Sequence, residues 1–139
     1  MFSVIFPGQG SQIVGMGKEV YDKFNIVKDL FKQADDTLNF SISKLILEGP
    51  KEELDVTTKT QPAIFLVSYS IFNVAKNEFK LDLNKAKFFA GHSLGEYSAL
   101  SCAGYLDFLQ AQICHRTPCP FLLFEIPDLE KLLKTYKKN

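Results

Sequence analysis

The feature that most constrains the fold of this chain is a short apolar run that leads directly into a glycine-flanked serine. Residues 86–90 (AKFFA) are mostly apolar and are followed at once by residues 91–95 (GHSLG). A strand that ends in a G-x-S-x-G turn and enters a helix exposes its serine above the edge of a sheet. The two glycines are expected because such a turn brings strand and helix too close together for a Cβ atom. We therefore predict a buried strand, a tight turn and a helix that begins at Leu94.

The remaining apolar pattern predicts an α/β layer architecture with a parallel sheet. Residues 2–6 form another short apolar run, closed by Pro7 and two glycines, as at the end of a buried strand. Apolar residues recur in steps of three and four over residues 20–38, which is typical of an amphipathic helix. Residues 42–47 predict a short helix, and a longer, mostly buried helix is predicted to begin at Pro62. This order of strands and helices favours a parallel sheet.

Ser93 is the candidate nucleophile, and an ordinary glycine-flanked turn is the alternative. In the predicted geometry the backbone N–H of Leu94 lies at a helix N-terminus, where the dipole favours the negative charge of an oxyanion. A second donor would come from another loop at the same sheet edge, and the loop of residues 7–11 follows a strand. His92 is expected to be a partly buried polar support or a donor near the acyl group. His115 lies in an irregular segment and is a weak candidate for a catalytic base.

Charge and composition exclude several classes of protein. Sixteen Lys+Arg residues balance sixteen Asp+Glu residues, so the chain lacks the basic excess of nucleic-acid-binding proteins. No apolar stretch reaches the ~18–20 residues of a membrane span, and the N-terminus lacks the basic region of a signal peptide. We therefore expect a cytoplasmic protein with no membrane contact. Cys114, His115 and Cys119 match no common zinc pattern, so no metal site is predicted.

Three motifs resemble those of the malonyl-CoA:acyl-carrier-protein transacylase family, the acyltransferases of fatty-acid and polyketide synthesis. Residues 6–12 (FPGQGSQ), followed by residues 15–17 (GMG), are similar to the amino-terminal signature of that family. Residues 60–63 (TQPA) resemble the start of its long buried helix, and residues 91–97 (GHSLGEY) resemble its nucleophile motif. The resemblance implies a partial α/β-hydrolase-like acyltransferase core with a parallel sheet and a nucleophile elbow.

The resemblance also implies a ping-pong acyl transfer. Ser93 would take a malonyl group from malonyl-CoA and pass it to the phosphopantetheine thiol of acyl carrier protein. The backbone N–H groups of Gln9 and Leu94 would form the oxyanion hole, and His92 would lie beside the acyl group. No cofactor and no metal are implied. Two alternatives remain at this point: a serine esterase or thioesterase-like hydrolase that shares the G-x-S-x-G turn, and a non-catalytic fragment.

The resemblance divides the chain into three parts. Residues 1–108 resemble the amino-terminal part of the acyltransferase core, residues 109–124 are atypical and suggest a frameshift or deletion, and residues 125–139 resemble the start of a ferredoxin-like small subdomain. Arg116 is followed by Thr117 rather than by glycine, so the carboxylate-binding role of the family's arginine is not assigned to it. The family's catalytic histidine lies in a region that this chain lacks. We therefore expect a truncated, catalytically impaired chain with an open sheet edge and exposed apolar faces.

Overall fold

The computed structural model describes residues 2–114, which form a mixed α/β structure with a small parallel sheet. In chain order the elements are β1 (Phe2–Phe6), α1 (Lys18–Lys23), α2 (Asn25–Leu38), α3 (Ile42–Glu48), α4 (Lys51–Leu54), α5 (Thr57–Asn77), β2 (Ala86–Gly91), α6 (Leu94–Cys102) and α7 (Phe108–Cys114). A short 3-10 turn, Leu83–Lys85, leads into β2. The predictions that concern His115, Arg116, Cys119 and residues 125–139 lie outside the described residues.

The two strands pair in parallel, as predicted. The register places Phe6 at the end of β1 opposite Gly91 at the end of β2. Helices α1 to α5 form the connection between the strands, and α6 packs against both of them. Because the strands run in the same direction, the loop after β1 and the turn after β2 leave the same edge of the sheet. This topology brings residues 7–11 beside residues 91–95.

Helix α5 is the centre of the hydrophobic core. It contacts α2, α6 and α7 and buries Ala63, Ile64, Phe65 and Leu66. Phe65 is fully buried, and its ring stacks on the rings of Tyr69 and Phe108 at centroid distances of 6.0 and 5.7 Å. From α2 the predicted apolar stripe supplies four buried residues: Val27, Phe31, Ala34 and Leu38. Burial of one such phenylalanine contributes roughly 1.5–3 kcal/mol relative to an exposed side chain.

The single helix predicted over residues 20–38 is wrong, because the chain forms two helices that meet at Phe24. The backbone of Phe24 is extended, with φ −118° and ψ 122°, and its ring packs edge-on against Phe79 at 6.0 Å. The apolar spacing continues through the break since α1 and α2 both pack against α5. A periodic pattern alone therefore does not reveal the interruption.

The predicted start of α5 at Pro62 is also wrong. The helix begins at Thr57, and Pro62 lies within it. Its first turn is polar and carries no apolar periodicity, so no local pattern predicts it. The Thr60 hydroxyl, which is fully buried, supports this turn by donating to the carbonyl of Leu54 at 2.5 Å or of Val56 at 3.1 Å. This bond ties the start of α5 to the end of α4.

Helix α6 ends at Cys102, shortly before Gly104. Gly104 has a left-handed backbone with φ +84°, and two backbone bonds close the helix behind it. The N–H of Gly104 donates to Ser101 O at 3.1 Å, and the N–H of Tyr105 donates to Leu100 O at 2.9 Å. This pair of bonds is a Schellman motif, in which glycine avoids the Cβ clash of the left-handed conformation.

Helix α7 occupies the first part of the segment that the sequence left without an assigned element. The Asp107 carboxylate accepts hydrogen bonds from the backbone N–H groups of Leu109 and Gln110 at 2.9 and 3.1 Å. An aspartate in this position stabilises a helix start. The helix then packs against α2, α5 and α6, which supply the stability that its short, irregular sequence does not indicate.

The prediction of buried strands is wrong for the described residues, because β1 buries only Phe6 and β2 buries no residue. A sheet of two strands leaves apolar surface uncovered. Ile5 of β1 is 78% exposed and Ile13 in the following loop is 65% exposed. Both line a groove of about 690 Å³ between β1 and α5. Within residues 2–114, no helix combines the length and the apolar character needed to cross a membrane.

Candidate active site

Ser93 lies between the end of β2 and the first residue of α6 in a strained backbone conformation, φ 53° and ψ −114°. A non-glycine residue in a sparsely populated region of this kind costs of order 1–3 kcal/mol. Two backbone bonds support it: the N–H of Gly95 donates to His92 O at 2.9 Å, and the N–H of Glu96 donates to Ser93 O at 3.0 Å. The Ser93 side chain is exposed and caps no backbone N–H of α6. Its hydroxyl is therefore accessible at the surface of the described residues.

The glycines around Ser93 are required by close backbone contacts, as predicted. A Cβ atom on Gly91 would lie 2.0 Å from the carbonyl carbon of Gly95, and a Cβ on Gly95 would lie 2.5 Å from Phe6 O. A Cβ on Gly8 would lie 2.8 Å from His92 O. The first contact lies within the serine turn, and the other two place the end of β1 and the loop after it directly against that turn.

Two backbone donors lie in the segments that meet here. Leu94 is the first residue of α6, and its side chain is 2% exposed, which anchors the start of the helix in the core. Gln9 belongs to the loop that packs against His92 through Gly8. Within the part of the chain that the structure describes, the backbone N–H groups of Gln9 and Leu94 have no acceptor. Both donors are thus free to bind a ligand oxygen.

His92 and Cys102 differ in what they can contribute. The expectation that His92 is a partly buried support is wrong for the described residues, because its side chain is exposed beyond the end of β2. A place beside an acyl group is compatible with this exposure. Burial raises the pKa of the Cys102 thiol, so the thiolate is scarce at neutral pH and Cys102 is a poor nucleophile.

The sequence analysis missed two side chains that hold the loop of Gln9. The Gln9 side chain donates from Nε2 to Thr57 Oγ1 at 3.2 Å and accepts at Oε1 from Gln61 Nε2 at 3.3 Å. Thr57 is the first residue of α5, and Gln61 lies one turn later. Gln61 belongs to the TQPA motif of residues 60–63. No local pattern, however, relates Thr57 or Gln61 to a loop about fifty positions away.

The amide side chain of Gln12 also holds this loop through hydrogen bonds. Gln12 accepts at Oε1 from the backbone N–H of Gly10 at 2.8 Å and donates from Nε2 to Asp55 Oδ1 at 2.9 Å. Asp55 lies between α4 and α5 and also pairs with Lys51. The hydrogen bonds from Lys51 and then from Gln12 hold the pKa of the Asp55 carboxyl below its ordinary value.

A cavity of about 290 Å³ lies between β2 and α6. Gly91, Glu96 and Leu100 are among its lining residues, but Ser93 and Gln9 are not. The exposed serine and the Gln9 donor therefore lie outside this cavity.

A mixed α/β protein with a strained serine at a strand–helix turn and free backbone donors beside it has the elements of an acyl-transfer site. The sequence model of the acyl transferase domain matches residues 3–114. The chain belongs to this acyl transferase family. The matched region includes α7, while the division at residues 108 and 124 stays a prediction.

Curated relatives are malonyl CoA-acyl carrier protein transacylases. The protein of Haemophilus influenzae is 49% identical over 110 residues, a region that covers 79% of this chain and 35% of the relative. The protein of Bacillus subtilis strain 168 is 45% identical over 123 residues, covering 88% of this chain and 38% of the relative. The chain thus spans little more than a third of the length of these relatives.

Similar solved structures are likewise named as malonyltransferases or malonyl-transacylases. An acyl carrier protein S-malonyltransferase from Vibrio cholerae superposes with a TM-score of 0.78 at 42% identity, covering 83% of this chain and 37% of that one. A malonyl-transacylase in complex with a type II polyketide synthase acyl-carrier protein superposes with a TM-score of 0.74 at 43% identity, covering 83% and 36%.

Proposed function

We propose that this chain carries the nucleophile of a transacylase that moves malonyl from malonyl-CoA to acyl carrier protein. The observation that carries the proposal is the strained conformation of Ser93 at the end of β2, in contact with the glycine loop after β1. In this proposal the turn is the nucleophile elbow of an α/β-hydrolase-like core. The names of the relatives support the choice of donor and acceptor.

The reaction has two halves that use the same serine. In the first, Ser93 Oγ attacks the thioester carbonyl of malonyl-CoA, the carbon–sulfur bond breaks, and coenzyme A leaves as a thiol with the serine proton. In the second, the phosphopantetheine thiol of acyl carrier protein attacks the carbonyl of the malonyl ester, the bond between that carbon and Ser93 Oγ breaks, and the thiol proton returns to Ser93 Oγ. Splitting the transfer into two steps is typical of covalent catalysis by an activated serine.

The backbone N–H groups of Gln9 and Leu94 would form the oxyanion hole in both halves. Their lack of an acceptor in the described residues supports this role, and so does the position of Leu94 at the start of α6. One such donor is worth on the order of 10²–10³-fold in rate. The exposed His92 would lie beside the acyl group.

We assign no residue as the general base for Ser93. His92 is the neighbour of the nucleophile, and His115 has no assigned role. Loss of a positioned base costs typically ~10²–10⁴-fold. We therefore expect slow acylation of Ser93 and little turnover by the 1–139 chain, with His115→Ala leaving the rate unchanged. Fast transfer to acyl carrier protein that depends on His115 would contradict this expectation.

The direct test is intact-protein and peptide mass spectrometry after incubation with malonyl-CoA. We expect one malonyl adduct on Ser93 and none on the Ser93→Ala variant. Ser98→Ala is the matched control, because it removes a buried hydroxyl from α6, the helix that follows Ser93. This hydroxyl has no hydrogen-bond partner in the described residues. An adduct on Cys102, or unchanged labelling of Ser93→Ala, would refute the assignment.

An esterase or thioesterase-like hydrolase is the less favoured function, because the relatives are named as transacylases. Hydrolysis of simple esters by Ser93 without transfer to acyl carrier protein would favour it. If no acyl-serine forms where a full-length relative forms one, the chain is a non-catalytic fragment. A cytoplasmic location stays a prediction.

A further inference from the structure

Hydrogen bonds of the Gln9 side chain hold its loop against the first turn of α5. One end of its amide donates to Thr57 at 3.2 Å, and the other end accepts from Gln61 at 3.3 Å. An amide with a partner at each end is restricted in its rotamers. The backbone of Gln9 is therefore held by contacts with a helix rather than by the loop alone.

Other hydrogen bonds hold the rest of this loop. Gln12 connects the backbone of Gly10 to Asp55, directly before α5. The Ser11 hydroxyl donates to Gly8 O at 2.9 Å. None of these bonds involves Gln9, whose described contacts with α5 are those of its side chain with Thr57 and Gln61. The peptide of Gln9 carries one of the two free backbone donors beside Ser93.

We propose that Thr57 and Gln61 are positioning residues, which hold the backbone N–H of Gln9 where it can bind the oxyanion formed at Ser93. This inference rests on the proposed function in taking Ser93 as the nucleophile. Neither side chain touches the substrate in this proposal. They act through Gln9, because a donor contributes fully only when it is already aimed at the developing charge.

The first test measures reaction of Ser93 in the 1–139 chain with an alkyl fluorophosphonate. The Ser93 Oγ–phosphorus bond forms as the phosphorus–fluorine bond breaks, fluoride leaves, and the serine proton passes to water. The phosphoryl oxygen then occupies the oxyanion position. Thr57→Val removes the acceptor of Gln9 without changing the shape of the side chain. We expect it to slow the maximal labelling rate by roughly 2- to 12-fold, the equivalent of one net hydrogen bond.

Matched variants separate positioning from general damage. Thr57→Ser keeps the hydroxyl and should restore the rate, and Thr58→Val makes the same change at the next exposed residue and should leave it unchanged. Gln61→Met keeps a similar side-chain length but removes the group that donates to Gln9 Oε1, so it should slow labelling as well. The concentration of reagent that gives half the maximal rate and the urea midpoint should stay constant. Equal rates for Thr57→Val, Gln61→Met and wild type would overturn the proposal.

The second test does not depend on any reaction. Backbone ¹⁵N relaxation reports the order of the Gln9 N–H on the ps–ns timescale. We expect lower order at Gln9 in Thr57→Val and Gln61→Met, with Thr57→Ser and Thr58→Val like wild type. Unchanged order and chemical shift in the first two variants would overturn the inference, even in a chain whose Ser93 does not react. Reaction with the fluorophosphonate but not with malonyl-CoA would instead contradict the proposed substrate alone.

Discussion

Gly95→Ala should destabilise this protein although it replaces glycine by alanine within a helix. Gly95 is the second residue of α6, where alanine would normally be favoured by up to about 1 kcal/mol. The new Cβ, however, would lie 2.5 Å from Phe6 O, 3.1 Å from Pro7 O and 3.2 Å from the carbonyl carbon of Phe6. The shortest of these distances is nearly 1 Å less than the 3.4 Å of ordinary contact.

The cost of Gly95→Ala follows from the nature of these neighbours. All three are backbone atoms at the end of β1, so no side chain can rotate away, and α6 must move relative to the sheet. Overpacking of this kind costs typically ~1–3 kcal/mol, and a clash with fixed backbone belongs at the upper end. After the gain in helix propensity, we expect a net loss of about 2 kcal/mol, equivalent to a fall in Tm of roughly 8 °C. The movement also displaces the N–H of Leu94, so labelling of Ser93 should slow.

Urea denaturation followed by circular dichroism measures the stability, and fluorophosphonate labelling measures the site. Gly104→Ala is the control, because its Cβ meets nothing within 4 Å but its φ of +84° disfavours alanine. It should lose about 1–2 kcal/mol through the backbone alone and leave Ser93 labelling unchanged. If Gly95→Ala is as stable as wild type, the close approach of α6 to β1 is not what requires glycine here.

Three further outcomes follow from burial and charge. Phe65→Ala should cost about 3–5 kcal/mol in urea denaturation, since the ring is fully buried; Phe2→Ala, at a 37% exposed position, should cost much less. In a background with Cys114→Ser and Cys119→Ser, iodoacetamide at neutral pH should modify Cys102 slowly in the folded chain and rapidly in urea, because burial raises the pKa of its thiol; equal rates would contradict this. NMR titration should give Asp55 a pKa below its ordinary value, and Lys51→Met should raise it. The stabilisation by this carboxylate is present above its ordinary pKa and is lost as pH falls through the lowered pKa.

The serine turn could be predicted because the residues that indicate it lie close together in the sequence. The apolar runs of β1 and β2 and the glycine stop of α6 each depend on residues close together in the chain. The glycine pair around Ser93 could be interpreted because a strand–helix turn imposes its own close contacts. The start of α5 at Thr57 and the helix break at Phe24 could not be predicted, since the first has a polar opening turn and the second keeps its apolar spacing.

The sequence by itself determined that a serine stands at a strand–helix turn and that a glycine loop follows another strand. Only the tertiary structure decided what that loop contacts. Gln9 and Thr57 are 48 positions apart, and Gln9 and Gln61 are 52 apart. These pairs meet because the parallel register sets Phe6 opposite Gly91 and because α5 packs between α2 and α6. Hydrogen bonds across such separations depend on how whole elements pack, and no local pattern of residues encodes that packing.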